Sequence, residues 1–367
     1  MGTQAQLTGL IPTGVAGQWI GRISGTNTGS VRIDIDHDRP STAAIYVADS
    51  ALPFAVTGDV VPTQPGTYEV HLRDFLPSVA APLTVTMPSE GSAKLTVRNG
   101  VQMDGSWETN VNTRGQISAS LVDAPASENA DWVMRWKEFF AWAGETDLAG
   151  TIFRGQAQSD LPLRTSFHRC GRRNFRRYVT EDVPTLRRLL ESQLNSTFPE
   201  QDSRETGCLL ALAQHHGYPT PLLDWTQSPF IAAYFAFRDC LRTWNAEPSD
   251  RHVRIFVFNC NQWRWGSSAE VAWEETQFRL APLNLAARYN PRAVPQQSVL
   301  LFSNLVDIEQ FVKWEEGQSA RRHMYRIDIP VSDCRIAMHQ LALMGITAGS
   351  MFPGIDGACR SLAERHF

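Results

Sequence analysis

At 367 residues the chain exceeds what a single hydrophobic core ordinarily serves, so two domains are expected. A hydrophobic share of 43% beside 20% charged residues suits a globular protein, and no run approaches the ~20 apolar residues that cross a bilayer, which excludes a helical membrane protein. The formal net charge of −4 argues against a chain coated in nucleic acid, while leaving room for a local basic patch. Residues 1–14 lack a basic stretch followed by an apolar core, so no secretory signal is read there and a cytoplasmic location is expected. The cysteines, Cys170, Cys208, Cys240, Cys260, Cys334 and Cys359, are scattered without CxxC pairs or zinc spacing; free thiols and no metal site are expected.

Residues 1–125 are rich in Thr, Ser, Gly, Val and Pro, and most Trp, Arg and His lie beyond them. From Gln18 to Leu121 apolar and polar residues alternate at period two between turn residues, as in Val31–Asp36, Ala43–Val47, Tyr68–Leu72, Leu83–Met87, Lys94–Val97 and Gln116–Leu121. Short strands so spaced predict an all-β N-terminal domain, a sandwich or a small barrel. Gly17-Gln-Trp19 echoes Gly105-Ser-Trp107; the two indoles read as core or rim anchors, with binding of a ligand or protein partner by this β domain as the other reading.

Asp123–Asp131 reads as a linker, placing the domain boundary at 125/126. The next stretch predicts an amphipathic helix whose buried face carries Trp132, Trp136, Phe139, Phe140 and Ala143. Thr151–Gln156 predicts a buried strand, and the arginine within it, Arg154, needs acceptors from the protein or from a phosphate or carboxylate ligand. Residues Arg164 to Arg188 hold eight arginines, including Arg172, Arg173, Arg176 and Arg177, interleaved with Phe167, Phe175 and Tyr178. Solvated helix faces are the ordinary outcome of such a run; a nucleic-acid or phosphate surface is the sharper one.

The densest polar stretch runs from Ala213 to Phe237. Gly217, Pro219 and Pro221 mark a turn, Leu222-Leu223 begins a buried strand, and Ser228-Pro229 has the form of a helix N-cap with proline at the first helical position. Polar side chains at such a strand-to-helix junction are rigidly placed yet open to a ligand. His215 and His216 are adjacent and diverge by about 100° on a helix, which does not suit one shared metal; each reads equally as a brace for carbonyls or as a donor or base. Asp224 leaves the core with a carboxylate that needs partners, an ion pair with Arg154 or Arg164 being the structural option. Strands at Val253–Phe258, Gln297–Phe302 and Met324–Ile329 and a helix over Asp333–Leu343 complete an α+β domain with a mixed sheet and flanking helices over residues 126–367. No Walker, HExxH, GxSxG or GxGxxG pattern is present.

Phe153-Arg-Gly-Gln156, Ala213–Thr220, Leu222–Thr226, Ser228-Pro229, Ala233–Ala236, Arg292, Gln296-Gln297, Leu343–Ile346 and Met351–Gly357 together resemble the FRG domain, named for its Phe-Arg-Gly motif. The resemblance covers roughly residues 130–367. Its layout is similar to that of ADP-ribosyltransferases, and this implies an NAD-dependent transferase or NAD glycohydrolase with NAD as substrate and no tightly bound cofactor. On that likeness Arg154, His216, Asp224 and Gln296 would be catalytic. Arg154, Gln156, Gln214, His215, Trp225, Thr226, Ser228 and Tyr234 would hold the nucleotide, with Thr226 and the helix after it walling the nicotinamide. Gln296 stands where those enzymes carry a glutamate that stabilises the oxocarbenium-like state, so Asp224, Glu274 or Glu275 would have to supply that charge. Two other readings stand beside this one: a non-catalytic nucleotide- or peptide-sensing module coupled to a partner-binding β domain, and nucleic-acid binding through Arg164–Arg188. The company such domains keep suggests defence or toxicity.

Overall fold

The computed structural model describes residues 14–49, 53–77, 86–194, 196–238, 251–263, 273, 278–283, 285 and 290–366. Eight strands come first: β1 (Gly17–Gly25), β2 (Gly29–Ile35), β3 (Thr42–Asp49), β4 (Phe54–Gln64), β5 (Thr67–Pro77), β6 (Gly91–Arg98), β7 (Gln102–Thr109) and β8 (Arg114–Leu121). There follow β9 (Trp132–Val133), α1 (Trp136–Glu145), β10 (Thr151–Gln156), α2 (Ser166–Arg169), α3 (Phe175–Arg177), a π-helical turn at Tyr178–Asp182, α4 (Val183–Leu194) and α5 (Ser203–His215). Then come β11 (Leu222–Thr226), α6 (Pro229–Phe237), β12 (His252–Asn259), β13 (Leu280–Leu283) and β14 (Ser298–Ser303). The chain closes with α7 (Ile308–Ser319), β15 (Met324–Pro330), α8 (Cys334–Leu343), α9 (Ala348–Met351) and α10 (Ile355–His366). Two compact units result, one of Met1–Asp123, Phe167–Thr197 and Ala272–Phe278, the other of Ala124–Ser166, Phe198–Val271 and Arg279–Phe367.

In the first unit β1 pairs antiparallel with both β2 and β8, so β1–β8 form a closed barrel and not a sandwich. Alternation sets the faces: Val31, Ile33 and Ile35 join the interior, while Arg32 and Asp34 between them point the other way. Closure brings β1 against β8 so tightly that a Cβ at Gly21 would overlap the Ser118 carbonyl. Trp19 is fully buried, and its Nε1 donates to the Val15 carbonyl at 2.8 Å. Of the strand expected at Leu83–Met87, residues 83–85 lie outside the described residues and Thr86 and Met87 carry no strand.

Two arginines of the dense stretch, Arg172 and Arg177, are paired with carboxylates within this unit. The buried Asp36 accepts from Arg172 Nε at 3.0 Å and Arg177 at 3.0 Å, and from the Arg173 and Asn174 backbone N–H groups at 2.5 and 2.7 Å. Arg172 also reaches Asp182 at 2.5 Å, and Arg177 reaches Asp38 at 2.8 Å. Phe167, Phe175 and Tyr178 are buried against one another, with ring centroids 5.0–6.2 Å apart, so these rings offer no stacking platform.

The second unit is built on a seven-stranded sheet in the order β13-β14-β11-β10-β12-β15-β9, antiparallel except for the parallel β15–β9 pair. One helix, α6, lies directly on β10: a Cβ at Gly155 would overlap the Ala232 carbonyl, so only glycine permits the backbone-on-backbone contact. Trp136 and Phe139 of α1 are buried as expected, and truncating either would cost about 3–5 kcal/mol. Trp132 and Phe140 are exposed, contrary to expectation. The sheet edge takes Trp132: in β9 it pairs with Ile327 of β15 and stacks on Tyr325 at 5.1 Å. The helix starts at Trp136, where Asp333 accepts its N–H at 2.7 Å.

The segment read as a linker is anchored. Arg254 holds Asp328 through two bonds of 2.7 and 2.9 Å and reaches Ser127 Oγ at 2.6 Å. The buried Glu309 accepts from Ser127 Oγ at 2.7 Å, Glu128 N–H at 3.3 Å, Leu163 N–H at 3.1 Å and Arg326 Nε at 2.6 Å. Satisfying every lone pair in this way is what makes a buried carboxylate tolerable. Among the described residues no helix is long and apolar enough to cross a membrane.

Candidate ligand site

Three adjacent strands, β10, β11 and β14, carry the polar residues singled out in the sequence. Phe153 of β10 faces Thr226 of β11, and Thr226 faces Ser298 of β14. Antiparallel pairing therefore brings Arg154, Asp224–Thr226 and the Gln296–Ser298 segment to one region of the sheet. A cavity of about 330 Å3 opens there, at the lower end of the size range of small-molecule sites. Arg154, Gln214, His215, Asp224, Trp225, Thr226 and Gln296 all line it. The other four candidates, Gln156, His216, Ser228 and Tyr234, are not among the lining residues.

Those four have local employment. Gln156 donates to the Leu161 and Gln158 carbonyls at 2.5 and 3.1 Å. His216 is the exposed C-cap of α5. Ser228 Oγ accepts the Ile231 N–H at 3.3 Å, capping α6 with Pro229 at its first turn. Tyr234 is buried and donates to Glu364 at 2.9 Å.

Arg154 and Asp224 do meet, though not as an ion pair. Arg154 donates to the Asp224 backbone carbonyl at 2.6 Å, which leaves the exposed carboxylate to other partners. Asp224 Oδ1 accepts from Gln214 Nε2 at 2.6 Å, and Gln214 Oε1 in turn accepts from the buried Thr220 hydroxyl. That relay fixes the amide: its oxygen faces a donor, so its nitrogen must face the carboxylate. Arg164 likewise makes no pair with Asp224; it donates to the Val306 and Ala124 carbonyls at 3.3 and 3.0 Å.

Gln296 is held by its own wall. Its carbonyl accepts from Thr226 Oγ1 at 2.8 Å, and its side-chain amide donates to the Met351 carbonyl at 2.9 Å. Among the described residues no glutamate lines the cavity; Glu274 and Glu275 lie outside them.

The lining also holds residues that the sequence reading left out of the site: Arg238, Asn290, Arg292, Phe235 and Phe352. Arg292 and Arg238 stand 5.1 and 5.5 Å from the Phe352 ring centroid, a cation–π arrangement that holds guanidinium planes against the ring. Arg292 has no carboxylate partner among the described residues. Among the described residues the ionisable lining is thus Arg154, Arg238, Arg292, Asp224 and His215. Burial, then the Arg292 guanidinium and His216, hold the His215 imidazole below the usual histidine range despite the pull of Asp224. Near neutral pH His215 is therefore an acceptor or a base. Among the described residues no cluster of three metal-ligating side chains occurs.

Comparison with known proteins adds a family and little else. Residues 149–243 match the model of the family described as FRG domain. No curated protein matches the sequence. Among solved structures, a redesigned β-barrel is similar at 13% identity and a TM-score of 0.23, over 29% of this chain and 91% of that one. A de novo designed fluorescence-activating β-barrel gives 13% identity and 0.23 over 29% and 94%.

Proposed function

For a chain that carries an FRG domain, we propose that the cavity between β10, β11 and β14 is a recognition site for a phosphate-bearing nucleotide, NAD or a chemical relative. The observation that carries this reading is Arg292, a lining guanidinium placed by Phe352 with no carboxylate to neutralise it among the described residues. Arginine in such a position binds a diphosphate through paired N–H donors. Arg154 and Arg238 add charge of the same sign.

Recognition is favoured over ADP-ribosyl transfer. An oxocarbenium-like state is stabilised by a carboxylate beside the ribose. Asp224 is the one carboxylate among the described lining residues, and it is hydrogen-bonded to Gln214. Gln296 supplies no negative charge, and its amide nitrogen is bound to Met351. Calorimetric titration of the full chain with NAD and with ADP-ribose tests the reading. Saturable binding that Arg292→Ala weakens at least about tenfold supports it, by loss of a charge-assisted bond of about 1.5–3 kcal/mol. Absence of binding by both nucleotides overturns it. Turnover of labelled NAD that disappears in Asp224→Asn would replace recognition by catalysis.

A further inference from the structure

Along β11 one side chain differs from its neighbours. Leu222, Leu223, Trp225 and Thr226 are buried, whereas Asp224 is exposed and lines the cavity. Its backbone is occupied, since the residue pairs with Leu300 of β14 and its carbonyl accepts from Arg154 at 2.6 Å. The exposed part is therefore the carboxylate.

That carboxylate is oriented from one side. Leu222 N–H donates to Thr220 Oγ1 at 3.3 Å, the Thr220 proton goes to Gln214 Oε1, and Gln214 Nε2 then donates to Asp224 Oδ1 at 2.6 Å. Oδ2 has no protein donor among the described residues, although Arg154 and Arg292 line the same cavity. An ionised carboxylate only accepts, so whatever part of a ligand meets Oδ2 must donate.

The nearest candidate donors follow from where the cations lie. After burial, the charges that shift the His215 imidazole are those of Arg292 and His216, with Asp224 acting in the other direction, so cation and carboxylate both act on one ring of the lining. In a nucleotide whose phosphate meets Arg292, the first donors along the molecule are the hydroxyls of the adjoining sugar, and the amino group of the base lies beyond them. We infer that Asp224 selects the sugar: through the oxygen that Gln214 leaves open it accepts from the 2′- and 3′-hydroxyls, so the cavity takes ribonucleotides with a free diol. This inference rests on the nucleotide reading of the cavity.

ADP and 2′,3′-dideoxy-ADP, identical but for the two hydroxyls, are suitable probes for calorimetric titration of the full chain. ADP should bind about tenfold more tightly, the worth of a hydrogen bond to a charged group. In Asp224→Asn the amide oxygen stays with the Gln214 donor and an NH2 replaces the acceptor, so the two affinities should come within about twofold by weakening of ADP alone. Urea unfolding of that variant should match the parent, because the side chain is exposed. Equal binding of both nucleotides by the parent, or a preference for ADP that survives Asp224→Asn, would overturn the inference and leave the nucleotide reading standing. If neither nucleotide binds, the inference falls, and titration of the same preparation with NAD shows whether the nucleotide reading falls with it.

Discussion

The chain uses arginine in two contrasting ways. In residues 172–177 guanidinium groups crowd together in sequence, and Asp36, Asp38 and Asp182 meet two of them, Arg172 and Arg177. In the cavity of the second unit Arg154, Arg238 and Arg292 come from distant parts of the chain, and one carboxylate, Asp224, stands among the described lining residues. The first group holds a strand end and helical turns together; in the second, Arg292 meets no carboxylate among the described residues. Density of cations in a sequence therefore says less about ligand binding than whether acids meet them in the fold.

The contrast can be broken most severely at Asp36. Asp36→Ala leaves two arginines beside a buried gap, and a loss of about 3–5 kcal/mol is expected in urea unfolding followed by circular dichroism. An effect below about 1 kcal/mol would show that those arginines are solvated and that the first group is not structural. Arg292→Ala should act in the opposite sense, weakening NAD at least about tenfold while changing unfolding by no more than about 0.5 kcal/mol. A large loss of stability would move Arg292 into the structural class. Replacing Arg172 and Arg176 together should leave nucleic-acid retardation on gels unchanged. A retarded parent complex that the double variant lost would revive a basic interface there.

His215 sharpens the contrast by pH. Its folded value lies below the ordinary histidine value, so between the two the unfolded chain holds more protons and stability rises with pH. A bound phosphate would favour the imidazolium, so NAD affinity should strengthen as pH falls through the folded value, by about fivefold or less for a partly exposed pair. Titrations across that range should show the trend, and His215→Gln should flatten it. A pH-independent parent would place the phosphates away from α5.

Much of this was legible from residue order. Period-two alternation gave the faces of β2, but it carries no information on closure, which depends on β1 meeting β8 across the whole length of the barrel. The Trp132 helix start misread an aromatic that a sheet edge and Tyr325 claim. Around the cavity, Ser228-Pro229 announced its own helix, and Arg154, Asp224 and Gln296 stood in recognisable patterns. Arg238 carried no local signal, since it simply follows α6, and Phe352 stood inside the Met351–Gly357 match with nothing to mark it as a cavity residue. Arg292 could have been found from its position four residues before Gln296, whose N–H bonds its carbonyl at 3.0 Å.

The wall built from Thr226, Gln296 and Met351 has a consequence for synthesis on the ribosome. Arg154 and Asp224 emerge early, but the carbonyl that holds Gln296 and the ring that seats Arg292 belong to Met351 and Phe352. Nascent chains stalled before those residues would carry the Phe-Arg-Gly strand without a finished pocket. Ligand competence is thereby tied to translation past Phe352, whereas every strand of the barrel has already been made.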